Sequence, residues 1–597
     1  MRKGVPAYSN LSEIIYMRNN MSSLNKLKSA RNKVELAKVL GVSPVFITNI
    51  LYIIKKENQY TTFTIKKKSG GDRVISAPND SLKNLQQKLS DVLLNCLDQI
   101  RKDENISTNI SHGFERKKSI ITNAMKHIKK KNVLNLDLED FFDCFNFGRV
   151  RGFFIKNNRF SLNEEVATVI AQIACFDNKL PQGSPCSPVI TNLICSSLDI
   201  KLNKLAKKNK CTYTRYADDI TFSTNKQSFD TEIVSSKSTF SDIIIGNELD
   251  KEIKKSGFKI NSRKTRLQTK NSRQDVTGLV VNKKINTKVE YSKSVRAMCN
   301  TLFKTGSYTL IDRKTHEERN GTVNELGGML SFIDYIDRYN NIIYKKSIDR
   351  PINNKVKIEK KLNKRERVYS DFIYFNKFHN NDFPTIITEG HTDQIHIKCA
   401  LTSLNGNYNN LIENHDKNYH LKFRFLKLSN KLKWLLNISE GTDPIKKFIS
   451  NYICNYRKYP CFKAKKPVII ILDNDSGSKG SGGILSILTN GSFSNITEDR
   501  NSLRRKNYIH VYENLYIIFT PMISDKDSCI EDLYDKEILE TKLNGKKFKN
   551  SNIDLKVDEY SKNHFAKYVI QNNIENINFS NFKSILNTID EIIRIYQ

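Results

Sequence analysis

Six carboxylates, in two sets far apart in the chain, are the residues best placed to do chemistry. The first set is Asp137 with the adjacent pair Asp218 and Asp219 in Tyr216-Ala217-Asp218-Asp219. The second is Glu389 with Asp473 and Asp475. Asp137 closes the apolar run Val133-Leu134-Asn135-Leu136, as a residue at the end of a buried strand does, and Arg215 to Phe222 reads as strand, tight turn, strand. That arrangement brings Asp137 to Asp218, where two magnesium ions between them would activate a ribose or deoxyribose hydroxyl and neutralise a leaving pyrophosphate. Phosphoryl transfer is mostly positioning and charge stabilisation, so carboxylates with cations are the parts it needs. In the second set, Thr385-Ile386-Ile387-Thr388 and Val468 to Leu472 each end in an acid. Strand ends of a parallel sheet face one crevice, and alternate residues of an extended segment share a side. Asp473 and Asp475 are therefore expected to hold a metal together, opposite Glu389.

Elements must carry these groups. The 597 residues exceed one core and favour several domains. Lys and Arg number 98 against 63 Asp and Glu, a formal charge of +35, which points to a polyanionic partner; a merely basic composition is the plainer alternative. The 11 cysteines have no Cys-x-x-Cys pair and no zinc spacing, and read as reduced thiols. Residues 1–23 lack the apolar core of a signal peptide, and the longest aliphatic run, Val468 to Leu472, is too short for a bilayer. The expected location is the bacterial cytoplasm.

Residues 1–60 read as short helices. Val34, Leu36, Ala37, Val39 and Leu40 form an apolar face, Gly41 a stop, and Ser43-Pro44 a new N-terminus. Such a helix–Gly–helix segment reads as packing, with a DNA-reading helix-turn-helix as the alternative. Thr62 to Ile65 and Arg73 to Ser76 form a predicted hairpin, followed by a helix over Leu82 to Ile100. Strands and helices alternate over 130–290, helices follow over 290–345, a lysine-rich join over 346–383, and a second α/β block from 384 onwards.

The motifs around the first set resemble a reverse transcriptase. Leu136-Asp137-Leu138-Glu139-Asp140-Phe141-Phe142, Leu180-Pro181-Gln182-Gly183-Ser184-Pro185 and Tyr216-Ala217-Asp218-Asp219 occur in that family's order and spacing. The resemblance implies a right-hand-like fold, with fingers and palm over 61–289 and a helical thumb over 290–345. It implies that Asp137 and Asp218 hold two metals with Asp219 in support, and that Phe142 is the steric gate favouring dNTPs. Gln182 and Gly183 would line the nucleotide pocket, Lys67, Lys68 and Arg73 would grip the triphosphate, and Lys264 would sit near the departing pyrophosphate.

Asn123-Ala124-Met125-Lys126-His127 and Val276-Thr277-Gly278 narrow the resemblance to bacterial retron reverse transcriptases. It implies a cognate noncoding RNA as template, priming from an internal guanosine 2′-OH, and a branched RNA–DNA product. Asn123, His127, Val276, Thr277 and Gly278 would be RNA-binding, although an Asn and His at i, i+4 also read as one packing face. No RNase H pattern is recognisable, so a host RNase H is an expected partner.

Glu389-Gly390-His391-Thr392-Asp393 with Asp473-Asn474-Asp475-Ser476-Gly477 resembles a Toprim domain, the metal-dependent Rossmann-like α/β fold of topoisomerases, primases and some nucleases. A nuclease is the expected activity over 384–597, with Ile530-Glu531-Asp532 as further acids or an ordinary helix start. The combined expectation is an α/β multidomain chain. It makes a branched RNA–DNA hybrid that restrains a fused nuclease until phage attack, with the nucleic-acid target of that nuclease and a homo-oligomer as further partners. The alternatives are an inert Toprim scaffold in a packaging protein, and a conventionally primed defence reverse transcriptase. All-oxygen ligands make magnesium the expected metal at both sites, with manganese as substitute.

Overall fold

A computed structural model describes residues 21–66, 71–105, 110–238, 242–311, 317–346, 362–415, 418–438, 440–480, 482–552 and 554–596. The chain divides into two compact units, one of residues 1–288 with 340–344, the other of 289–339 with 345–597.

The first unit opens on helices Ser23–Ser29, Lys33–Leu40 and Pro44–Thr48. Asn32 caps the second by accepting from the Glu35 amide, Gly41 ends it at φ +64°, and Ser43 caps the third with Pro44 in its first turn. Leu36, Ala37 and Leu40 are buried in one apolar core with Leu82, Leu85 and Leu89 of helix Asp80–Asp103. The segment therefore packs, and Val34, expected on the inner face, is exposed instead. The hairpin pairs Tyr60–Lys66 with Asp72–Pro78, antiparallel with Thr64 opposite Val74. Lys67 and Lys68 lie outside the described residues.

Behind the hairpin, four antiparallel strands run in the order Thr212–Tyr216, Asp219–Thr224, Asn132–Asp137, Arg266–Thr269. The register sets Asp137 opposite Asp219. Helix Ser187–Lys208 contributes Val189, Ile190, Leu193, Ile194, Cys195 and Leu198 to the same core as the sheet.

The second unit holds a five-stranded sheet in the order Arg424–Phe425, Thr385–Thr388, Val468–Leu472, Leu515–Phe519, Ile509–Tyr512. The first four strands are parallel and the last antiparallel. All five residues of Val468–Leu472 are buried, as a strand covered on both faces requires. Helices Val289–Thr305 and Val323–Lys346, expected as a separate thumb, group largely with this unit, where Leu302 and Leu330 share a core with Phe372 and Ile470. Much of the expected basic join is also core. Lys364–Tyr374 is a helix that widens into a π-helical turn, Phe375–His379, and Tyr369, Phe372, Phe375 and Phe378 are buried. These aromatics recur at i, i+3, i+6 and i+9, which places them on one buried helix face inside a lysine-flanked segment. Among the described residues no single helix is long and apolar enough to cross a membrane.

Candidate functional sites

The turn Tyr216-Ala217-Asp218 is held from three sides. Ala217 sits at φ +56°, a left-handed conformation that costs a non-glycine residue energy and must be enforced by its surroundings. Below it, Arg215 is fully buried and grips Asp199 of helix Ser187–Lys208 with two bonds of 2.8 Å, from Nε to Oδ1 and from Nη2 to Oδ2. The remaining terminal nitrogen of Arg215 donates to the Ala217 carbonyl at 3.1 Å and to Asn192 Oδ1 at 3.1 Å. Beside it runs the segment 110–113, joined by His112 N–H to the Arg215 carbonyl at 2.8 Å. Gly113 is required there, because a Cβ would lie 2.5 Å from the Ala217 nitrogen. The sequence reading missed Arg215, Asp199 and Asn192; a charged pair inside otherwise apolar segments was the available signal.

Asp137 is buried at its strand end and Asp218 is half-buried, while Asp219 keeps an exposed edge. Burial and then the charge of Asp137 raise the Asp218 carboxyl. Crowding by the cleft, then the charges of Asp218 and Asp137, push Asp219 up to about 7, and water at its open edge screens part of that repulsion. The cluster relieves itself through Lys264, whose Nζ lies 3.0 Å from both oxygens of Asp137. Lys264 therefore sits on a carboxylate, in the place where a cation is called for. Among the described residues no three His, Cys, Asp or Glu side chains already form a ready ligand set. Reverse transcriptases work with divalent metals, and two carboxylates that repel each other beside a displaceable ammonium suit such an ion. Asp137 and Asp218 would hold it, and it would supply charge neutralisation and an acidified hydroxyl.

The expected nucleotide-side groups gather on the same unit. Phe142, half-buried on the turn Phe141–Cys144, lies edge-on to Phe114 with ring centroids 6.5 Å apart. Gln182 accepts from the Ser76 amide at 2.8 Å through its carbonyl. Gly183, at φ +126°, lies where a Cβ would meet the Ser76 carbonyl oxygen at 2.6 Å. The Gln182-Gly183 loop is thus pinned to the same hairpin strand that carries the exposed Arg73.

Asn123 and His127, expected to bind RNA, are fully buried. His127 bonds Ser223 Oγ and Thr214 Oγ1 at 2.7 Å each, on the back of the palm strands, and burial holds its imidazole down to about 3. A buried neutral imidazole between two hydroxyls anchors a sheet and offers RNA no surface. Both amide atoms of Asn123 lack a partner. Thr277 donates to the Ile120 carbonyl at 3.1 Å, so Val276-Thr277-Gly278 packs against the short helix bearing Asn123. Of these five residues only Thr277 and Gly278 reach solvent, Val276 being buried.

In the second unit, Glu389 and Asp473 follow adjacent parallel strands directly. Glu389 accepts from Thr442 Oγ1 at 2.8 Å and from the Asp473 amide at 3.4 Å. Asp475 stays with this cluster, its charge adding to burial in raising the Glu389 carboxyl. Its Oδ1 also caps the short helix Ser476–Lys479, accepting from Gly477 and Ser478 amides at 2.8 and 3.3 Å, while the backbone at Asp475 is still extended. Asp473 Oδ1 accepts from the Ile530 amide at 3.1 Å, and its charged neighbours are Asp393, Glu531, Glu389 and Lys562. Burial and then Asp393, Glu531 and Glu389 push Asp473 up to about 8, and burial with Glu531 behind it takes Asp393 to about 6. Burial lowers Lys562, but Glu531 and Asp473 outweigh it and the ammonium is raised, with Nζ 3.1 Å from Glu531 Oε2. Again the donors are all oxygen and mutually repelling, which suits a hard cation. Asp393 belongs to the quoted motif four residues after Glu389, and Glu531 to the segment offered as further acids, whereas Lys562 comes from a part of the chain that no spacing joins to them.

Comparison with known proteins settles the first unit. A family model described as reverse transcriptase (RNA-dependent DNA polymerase) matches residues 65–296. The retron Ec86 reverse transcriptase of Escherichia coli is 37% identical over 256 residues, covering 42% of this chain and 73% of that protein. The chain belongs to the retron reverse transcriptase family. Two further retron reverse transcriptases, Mx162 and Mx65 of Myxococcus xanthus, are 32% and 31% identical, over 44% and 45% of this chain. The chain spans 55% and 62% of the length of those two retron proteins. Among solved structures, a telomerase from Candida albicans with a fragment of telomeric RNA matches at a TM-score of 0.29 and 11% identity, over 52% of this chain and 59% of that one. The family model ends at residue 296, short of the second carboxylate set.

Proposed function

We propose that this retron reverse transcriptase copies a cognate structured RNA into branched single-stranded DNA primed from a 2′-OH, and that its second unit is a Toprim nuclease. The observation carrying the first part is the convergence of Asp137, Asp218 and Asp219 under a turn whose shape Arg215, Gly113 and Asn192 enforce. Phe142 and the Gln182-Gly183 loop would select and seat the incoming dNTP, and the metals are magnesium. For the second part, the support is Glu389 and Asp473 at the C-terminal ends of neighbouring parallel strands, where α/β sheets bind ligands, with Asp393 beside them in the first turn of the helix His391–Ser403. The two activities together fit an antiphage device in the bacterial cytoplasm, in which the RNA–DNA product restrains the nuclease and its loss on infection releases cutting. A host RNase H would trim the template.

The test is a denaturing gel of nucleic acid co-purified from cells expressing the native locus, run untreated, nuclease-treated and debranched. Asp218→Ala should remove the short DNA entirely, and debranching should shift it in the wild type. Asp473→Ala with Asp475→Ala should leave that DNA intact while abolishing phage protection. An unshifted product sinks the 2′-priming, and protection that survives the second variant sinks the nuclease.

A further inference from the structure

Helices Val289–Thr305, Val323–Lys346 and Lys364–Tyr374 enclose a cavity of about 600 Å³ that contains no residue of either carboxylate set. Its volume is within the range of small-molecule sites. Val295, Leu330 and Ile333 supply an apolar floor, all three buried. Two buried acids line the cavity, Asp334 and Glu366, and Glu366 is already satisfied by the Asn363 amide at 2.8 Å and by Trp434 Nε1 at 2.9 Å. The Asp334 side chain is 6% exposed, its Oδ2 lies 3.0 Å from Arg338 Nε, and its Oδ1 has no hydrogen-bond partner. A buried carboxylate oxygen left unpaired is costly and is normally satisfied by some donor.

The free charge at the rim is positive, since its acids Asp337 and Asp371 are paired with Arg365 and Lys458. Lys293, Arg296, Lys364 and Arg367 line it, all exposed, and none makes a side-chain hydrogen bond or ion pair with a described residue. Lys364 and Arg367 belong to the first turn of an eleven-residue helix, whose N-terminal dipole adds to the field of the cations. One side of the cavity thus asks for an N–H donor over an apolar face, and the other for a phosphate anion. A nucleotide carries both, an N–H donor on a flat base and a phosphate.

We propose that this cavity is a nucleotide-binding site, with the base on Val295, Leu330 and Ile333 donating an N–H to Asp334 Oδ1, and the phosphate held by Arg296, Lys364 and Arg367. The occupant is either a free nucleoside triphosphate or an unpaired nucleotide of a bound RNA strand, since both present the same chemistry. The site needs no metal, which separates it from the polymerase pocket, and it does not depend on the nuclease reading.

Photolabelling of the full-length chain in EDTA tests this, with 8-azido-ATP in one arm and a single-stranded RNA 12-mer carrying 4-thiouridine in the other. Saturable labelling of peptides within 289–305, 323–338 or 364–371 is expected in at least one arm. Labelling by the triphosphate identifies a free nucleotide as occupant, and labelling by RNA alone identifies a strand. Arg296→Ala with Lys364→Ala, both exposed and so safe for folding, should reduce that labelling at least tenfold, while Lys536→Ala with Lys542→Ala should leave it within twofold. Labelling in neither arm, labelling only elsewhere, or labelling indifferent to the first pair overturns the site.

Discussion

Arg215 and Asp199 form a two-bonded ion pair buried under the metal-site turn, and the same guanidinium reaches the Ala217 carbonyl one residue before Asp218. A charge removed from water on this scale is costly unless every donor is used, and Arg215 uses its Nε and both terminal nitrogens. The pair therefore shapes the turn more than it adds net stability.

Removing one partner should show this. Asp199→Ala leaves an uncompensated buried guanidinium and should cost about 3–5 kcal/mol in urea unfolding. Arg215→Lys keeps the charge but loses the fork, and is expected to lower DNA synthesis at least tenfold with a smaller stability loss. Wild-type synthesis by Arg215→Lys would show that the turn holds its shape unaided.

Gly113→Ala tests the turn from the other side. The added methyl meets the Ala217 nitrogen at 2.5 Å, a backbone atom that cannot swing away. DNA synthesis should fall at least tenfold while circular dichroism stays native. Activity within twofold of wild type would mean that the 110–113 segment shifts freely.

His127 makes stability depend on acid. Its folded value of about 3 lies below the ordinary 6.5, so between those limits the unfolded chain binds the extra proton and stability falls as pH drops below 6.5. The slope is about 1.4 kcal/mol per pH unit from this residue. The raised Asp219 and Asp473 carboxyls act in the opposite sense, so the comparison is with His127→Gln. Urea midpoints at pH 7.5, 6.5 and 5.5 should decline less steeply in the variant, and parallel declines would place the imidazole in contact with water.

Asp473 is raised by burial and by three neighbouring acids, so its charge strains the metal-free fold. Asp473→Asn should raise stability in chelator by about 1 kcal/mol and lose the extra stabilisation that magnesium gives the wild type. Thermal unfolding with EDTA and with magnesium reads both terms. An equal magnesium effect in both proteins would remove Asp473 from the metal site.

Lys264 competes with any cation for Asp137. Lys264→Ala should tighten manganese binding to the nucleotide-free chain, measured by electron paramagnetic resonance, while slowing DNA synthesis. Unchanged manganese affinity would show the ammonium leaving Asp137 at no cost.

Much of this was legible in the chain before folding. Buried strands ending in acids, a capped N-terminal helix pair, a two-stranded hairpin and the motif order from Asp137 through Gln182 to Asp218 are local patterns, and the residues that make them are neighbours in sequence. Period-two and 3.6-residue apolar spacing reports on local backbone, so the palm strands and their carboxylates could be placed from it. Tertiary structure decided what distant segments share. It buried Asn123 and His127, whose i, i+4 spacing marks one helix face without saying what covers it. It made Asp475 a helix cap beside Glu389 and drew Glu531 and Lys562 to Asp473 from across the second unit. It also grouped the helices over 289–339 with that unit and folded the lysine-flanked aromatics of 364–379 into its core. The physical reason is that burial and charge pairing depend on which surfaces meet in three dimensions, and no spacing along one chain encodes that meeting.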